Sequence, residues 1–170
     1  MKILVAYATK YGSTAEVAEA IAKSLEKNKA EVHLLPLNKV RSLSGIDAVL
    51  MGAPFYMFRW HTDAILFLSR FNGKLQKVPT AVFALGPFHD VESEWQEIRG
   101  QLDRELARFP WFQPIEVKLF GGKFDPVSLT FPFNMIPALK ELPASDIRDW
   151  AAIGEWAQTV HEKFSTAIQH

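Results

Sequence analysis

At the amino terminus Lys2-Ile-Leu-Val-Ala-Tyr-Ala8 forms a nearly unbroken apolar run that gives way at once to Thr9-Lys-Tyr-Gly-Ser-Thr14. Such a run suits a strand buried on both faces in the middle of a parallel sheet. Behind the turn, Ala15, Val17, Ala18, Ile21, Ala22 and Leu25 recur at helical spacing, and Ser13 or Thr14 stands where a helix cap belongs. Strand, tight loop and helix in that order restrict the chain to an α/β architecture, because a parallel partner strand is reached only through a crossover.

The unit repeats. Residues 31–37 alternate enough for an outer strand, and residues 46–51 form a second buried run that ends at Gly52-Ala-Pro54. An aromatic loop follows, then a helix over residues 63–71 carried by Ile65, Leu66 and Leu68, and a third buried strand over 79–85 that ends at Gly86-Pro87. Ser93 with Gln96 matches a capping box, and Trp95, Ile98, Leu102, Leu106 and Phe109 make one helical stripe. Residues 115–120 give the last strand. The final helix carries Trp150, Ile153, Trp156, Val160 and Phe164 at intervals of three and four, with Asp146 or Asp149 as its cap. Five strands alternating with four helices imply right-handed crossovers and an open five-stranded parallel sheet, helices on both faces, in the order 2-1-3-4-5.

One connection does not fit that economy. Residues 121–145, between the last strand and the last helix, are too many for an ordinary link. They mix Pro126, Pro132, Pro137 and Pro143 with Leu129, Phe131, Phe133, Met135, Ile136, Leu139 and Leu142. The expectation is therefore a single domain over residues 1–170 that carries a proline-rich apolar insertion.

Composition narrows the chemistry. The 19 basic and 19 acidic side chains cancel, so no global field draws the protein to nucleic acid. The absence of cysteine removes disulfides, thiol nucleophiles, iron–sulfur ligation and zinc thiolate sites together, so redox chemistry needs a borrowed cofactor. The first apolar run stops at Thr9-Lys10 without a small-residue cleavage site, and no window offers the roughly 18 apolar residues of a membrane span. Both points favour a cytoplasmic protein, with attachment to the inner face of the membrane left open.

In an open parallel sheet a ligand sits beyond the carboxyl ends of the strands where the order reverses, here between the first and third strands. Residues 9–14, 53–61 and 85–90 converge there. The first loop offers the hydroxyls of Thr9, Ser13 and Thr14, lets the backbone approach closely at Gly12, and opens a helix whose free N–H groups and dipole suit phosphate. It lacks the Gly-Lys-Ser/Thr of a P-loop and the three glycines of a dinucleotide fingerprint.

Ala8-Thr-Lys-Tyr-Gly-Ser-Thr14 resembles the flavodoxin phosphate loop, in which a Thr or Ser, two residues, Gly and two small polar residues directly follow the first strand. Over nearly its whole length the chain is similar to the flavodoxin-like branch that contains menaquinone-dependent protoporphyrinogen dehydrogenase. The matching features are that loop, Gly52-Ala53 leading to Trp60-His61, the segment Gly121-Gly-Lys-Phe-Asp125, the apolar insertion, and Asp149-Trp150 at the final helix. The departures are Leu85-Gly-Pro-Phe-His89 and an insertion without a pronounced basic cluster. The resemblance implies FMN, and after it porphyrinogen oxidation with electrons passed to a quinone.

On that reading the cofactor contacts are Thr9, Lys10, Tyr11, Gly12, Ser13 and Thr14; Ala53, Pro54, Phe55, Tyr56, Met57, Phe58 and Trp60; and Leu85, Gly86, Pro87, Phe88 and His89. Phe55, Tyr56, Phe58 and Trp60 offer flat surfaces for a flavin ring, each with ordinary packing as the competing explanation. The histidines show no metal-ligand spacing, so no metal is expected. His61 and His89 fall in ring-edge loops, where an imidazole could shuttle a proton, and solvated loop histidine is the plainer account of both. Lys10 and Arg59 stand beside the same loops as counter-charges.

The expected function is that of an FMN-dependent oxidoreductase or electron-transfer protein, with a non-enzymatic interaction module on the same fold as the competitor. Flavodoxins that act as shuttles are acidic and this chain is neutral, which favours a substrate dehydrogenase. The insertion then has three candidate uses: covering a small-molecule substrate such as a quinone or porphyrinogen, touching a membrane, or pairing two copies of the chain.

Overall fold

The computed structural model describes residues 1–56 and 59–169, apart from the Tyr56 side chain. Its elements run β1 (Lys2–Tyr7), α1 (Ser13–Lys27), β2 (Glu31–Pro36), β3 (Ala48–Tyr56), β4 (Arg59–Trp60), α2 (Thr62–Leu75), β5 (Thr80–Leu85), α3 (Glu92–Ala107), β6 (Glu116–Phe120), β7 (Lys123–Phe124), α4 (Pro137–Lys140), β8 (Ser145–Asp146) and α5 (Trp150–Gln169). The central sheet has the order β2-β1-β3-β5-β6, every pair parallel. With the short β4 left out of the count this is the expected order 2-1-3-4-5.

Side chains of β1 alternate between two cores, as the period of a strand requires. Ile3 and Val5 face the layer of α1 and α5, packing with Ile21, Leu25, Ile153, Val160 and Phe164. Leu4 and Ala6 face α2 and α3, packing with Phe67, Leu68 and Leu102. All six residues of β5 are buried, which explains its unbroken apolar run. Gly52 of β3 leaves room for the ring of its partner on β5: a Cβ there would lie 1.9 Å from Cζ of Phe83, itself fully buried. Among the described residues no helix is long and apolar enough to cross a membrane.

Several boundaries differ from expectation. β3 begins at Ala48 rather than Ile46 and continues through Gly52-Ala-Pro54 to Tyr56. Proline is tolerated there because Gly52 turns its carbonyl toward β1, accepting from Ala8 N at 2.8 Å, so Pro54, two residues on, turns its donor-less nitrogen to the same side beyond the end of β1. The expected aromatic loop is instead a hairpin in which Phe55 lies opposite Trp60. α2 starts at Thr62, with the His61 side chain accepting from Asp63 N at 3.2 Å, and runs to Leu75.

The capping expectations also need correction. Neither Ser13 nor Thr14 caps α1; the cap position belongs to Gly12 in a left-handed conformation (φ 91°). No Ser93–Gln96 capping box forms at α3, where the cap position is Val91, which makes no side-chain capping bond. At α5, Asp149 accepts from Ala152 N at 3.0 Å, whereas Asp146 binds Arg148.

The insertion is an excursion closed at its base by an antiparallel ribbon, β7 with β8. Asp125 orders its start, accepting from Val127 N at 3.0 Å and from the Ser128 hydroxyl at 2.9 Å. Leu129 tucks inward, while Val127, Phe131 and Met135 are 92%, 78% and 71% exposed.

Candidate functional site

The cleft lies where β1, β3 and β5 end. At β1 the Thr9 hydroxyl accepts from Gly12 N at 2.9 Å and closes the turn. Gly12 then takes the left-handed backbone that other residues adopt only with strain, and a Cβ at this position would project into open space. Because Gly12 occupies the cap position, the amides of Ser13, Thr14 and Ala15 precede the first helical hydrogen bond, Glu16 N to Gly12 O at 3.1 Å, and among the described residues no side chain caps them. The Thr14 side chain is fully buried, and its hydroxyl has no hydrogen-bond partner among the described residues. A buried hydroxyl left unpaired costs about 1–3 kcal/mol. Uncapped amides, a helix dipole and a spare hydroxyl together form an anion cradle.

Loops from β3 and β5 supply the opposite wall. Lys10, Tyr11, Ser13, Thr14, Pro54, Phe55, Leu85 and Phe88, all expected from sequence, surround one small cavity together with Gly122 and Lys123. Thr9 and Gly12 shape the turn behind it, and Lys10 holds its ammonium 4.2 Å from the Phe133 ring centre in the insertion. Ala53 and Leu85 are buried within their strands, and Gly86 and Pro87 are buried at the start of the next loop.

The remaining expected residues are placed differently. Trp60 is 2% exposed and lies parallel to Phe55, ring centres 6.3 Å apart, within the core cluster. His61 is engaged as the cap of α2. His89 is exposed, its Nδ1 3.0 Å from Oε2 of Glu94, while the other Glu94 oxygen accepts from Phe88 N at 2.7 Å. One carboxylate on α3 thus fastens two successive residues of the β5–α3 loop. Arg59 is exposed on β4. Met57, Phe58 and the Tyr56 side chain lie outside the described residues.

Phe88 divides the space. On its phosphate-loop side are two cavities of about 40 and 20 Å³. Beyond it, a third of about 450 Å³ is lined by Phe55, Gly86, Ser93, Glu94, Glu97, Ile98 and Gln101 as well as Phe88 itself. Only the last falls in the range of roughly 300–1,000 Å³ that ligand pockets occupy. Gly122 N donates to Pro87 O at 2.7 Å, and the Phe88 and Phe124 ring centres are 5.7 Å apart, so the insertion's first residues brace this loop.

Sequence reasoning missed that bracing. Lys123, Phe124, Asp125, Ser128 and Leu129 line the cavity beside Tyr11 and Ser13. It also missed Arg148, whose side chain is 3% exposed and donates to Asp146, to Glu16 at 2.7 Å and to the Ser13 carbonyl at 3.5 Å. Hydrogen bonding from Arg148 holds the Asp146 carboxyl below its usual range, and the same bond raises Arg148. Among the described residues no group of three His, Asp or Glu side chains is arranged to hold a metal ion.

A family model described as a flavodoxin domain matches residues 4–132. No curated protein matches the chain in sequence. Among solved structures, a flavodoxin from the domain Archaea is 16% identical with a TM-score of 0.58, both chains covered in full. Flavodoxin 2 of Bacillus cereus is 20% identical with a TM-score of 0.60, covering 96% of this chain and 100% of its own. Rubredoxin oxygen:oxidoreductase of Desulfovibrio gigas is 15% identical with a TM-score of 0.55, the match spanning 99% of this chain and 36% of that one. At these identities the structural matches speak for the fold.

Proposed function

Because the chain belongs to the flavodoxin domain family, we propose that it is an FMN-dependent oxidoreductase whose insertion serves a small apolar redox partner. FMN is the cofactor of that family, and residues 9–14 fit its phosphate. The observation that carries the fit is the buried, unpartnered Thr14 hydroxyl beside three uncapped amides.

When bound, FMN supplies one- and two-electron transfer at its ring. The protein's part is to hold and orient. The start of α1 would bind the phosphate, Gly12 keeps the approach open, and Pro54, Phe55 and Phe88 would flank the ring. Phe124 and Leu129, bracing Phe88 and the Tyr11 side of the cleft, would limit water around it.

Exposure in the insertion favours a substrate dehydrogenase over a shuttle between proteins. Val127, Phe131 and Met135 stand in solvent on the insertion, whose Ser128 and Leu129 line the cleft, in a chain with no net charge. Such a surface suits a planar apolar molecule or the membrane that carries it, and offers little to a charged protein partner. A quinone that takes up two electrons and two protons fits this description as acceptor. The resemblance noted above supplies a porphyrinogen as donor.

Titration of the apoprotein with FMN tests the first step, and failure to bind ends the proposal. Anaerobic stopped-flow mixing of the reduced holoprotein with a quinone tests the second. The double variant F131S/M135S should bind FMN normally and lose most of its quinone-dependent reoxidation rate; an unchanged rate would return the insertion to a structural role.

A further inference from the structure

From the placement of Arg148 we infer that this arginine sets the preference of the site for phosphorylated over unphosphorylated flavin, by neutralising Glu16 in the first turn of the phosphate helix. The inference rests on the FMN reading above. Arg148 enters from a point 135 residues away in sequence, just past β8, and its guanidinium is almost wholly removed from solvent. Its hydrogen bonds all go to α1 or to the ribbon, and its flat face lies on the first residue of α5. Nε and Nη2 donate to the two oxygens of Asp146 at 2.8 and 2.6 Å, Nη1 donates to Glu16 at 2.7 Å and to Ser13 O at 3.5 Å, and the Trp150 ring lies 4.7 Å from Cζ.

The physical problem it answers is local. An anion at the start of α1 shares that turn with the Glu16 carboxylate, and like charges within a few ångströms oppose each other's ionised forms. Arg148 bridges the two carboxylates, bidentate on Asp146 and through Nη1 on Glu16, and Lys123, opposite Asp146 on the ribbon, supplies the second positive charge. The four charged groups then sum to zero beside the cradle. Without the arginine, Glu16 and Asp146 would outweigh Lys123 and leave net negative charge where a phosphate must bind. Riboflavin lacks the phosphate and would be indifferent to that change.

The test measures dissociation constants for FMN and riboflavin on the same proteins. In wild type FMN should bind far more tightly than riboflavin; equal affinities, or no binding of either, would sink both the FMN reading and this inference. R148M should weaken FMN by about tenfold, the equivalent of 1.4 kcal/mol, and riboflavin by less than about twofold. Adding E16Q to R148M should recover most of the lost FMN affinity. An equal loss for both flavins would make Arg148 a mere structural anchor, and no loss for FMN would remove it from the site; either outcome overturns the inference while leaving FMN as the cofactor. E16Q alone covers the case in which R148M fails to fold. Glu16 is half exposed and its neutralisation leaves the core untouched, so a several-fold rise in the preference for FMN is expected, and an unchanged preference refutes the proposal.

Discussion

The two ends of the cleft are built on different principles. The end proposed for the phosphate consists of backbone amides, one left-handed glycine and small hydroxyl side chains. The ring end is filled by the protein itself: Phe88 separates two cavities of about 40 and 20 Å³ from one of about 450 Å³, and Glu94 holds the Phe88 loop by two hydrogen bonds. A polar cradle can be pre-formed because its backbone amides are held by the turn and the helix, whether or not a ligand is bound. An apolar slot of the same size exposes its walls, so side chains close over it. The difference predicts an order of events, phosphate first and ring second, and substitutions can break it at either end.

The largest effect should come from Gly12→Val. A β-branched residue in the left-handed region is strained by roughly 1–2 kcal/mol, and its side chain would enter the open space of the turn. FMN affinity should fall at least about a hundredfold, two steps of 1.4 kcal/mol, in a fluorescence titration, with a modest drop in the thermal midpoint of the apoprotein. Retained affinity would show that the cradle is not where phosphate binds.

Thr14→Val separates folding from binding in one residue. The valine has the shape of threonine and lacks the hydroxyl that finds no partner. Removing an unpaired buried hydroxyl should leave the apoprotein unchanged or up to about 1–3 kcal/mol more stable, while loss of a hydrogen bond to a charged group should weaken FMN by about ten- to a hundredfold. Urea unfolding and flavin titration on one preparation would show the opposite signs. Parallel losses would mean that Thr14 serves the fold.

How far the sequence foretold these two ends follows the range of the forces involved. Strands and helices were legible because Ile3 to Ala6 form an unbroken apolar run, as a strand buried on both faces must, and Ile153, Trp156, Val160 and Phe164 recur at helical spacing, patterns that report burial directly. The phosphate loop was legible because it is six contiguous residues. Which group caps α1 was not, since hydroxyl and left-handed glycine compete within three positions and the backbone decides. The run of β3 through Pro54 depends on where β1 stops, a fact about a neighbouring strand. Glu94, between the Ser93 and Gln96 expected as a capping box, fastens Phe88 and His89 instead. Arg148 and Glu16 are 132 residues apart, so nothing in either neighbourhood announces their contact.

At the ring end, Glu94→Ala should loosen the loop. With both hydrogen bonds removed, Phe88 leaves its position more often, and if ring entry waits on that motion the association rate for FMN should rise about three- to tenfold, the scale of one ordinary net hydrogen bond. Riboflavin should gain as much, because the phosphate plays no part in this step. Stopped-flow association with both flavins would decide it, and an unchanged rate would mean that the slot opens by another route.

The smallest effect concerns the tie between the two ends, the ribbon held to α1 through Arg148. Asp146 titrates below its usual value because Arg148 hydrogen-bonds its ionised form. A carboxyl with a depressed pKa in the folded state adds stability that is complete above its unfolded value, near pH 4, and disappears as pH falls through the folded value. The stability difference between wild type and Asp146→Asn should therefore be largest near neutrality and shrink as the solution is acidified below about pH 4, where the protonated acid and the amide become equivalent. Asp146 is 41% exposed, so screening keeps the difference small. Urea midpoints for both proteins across that range should converge, and parallel curves would mean that the ribbon is held to the phosphate helix by packing, with Arg148 stacked on Trp150 as the contact that matters.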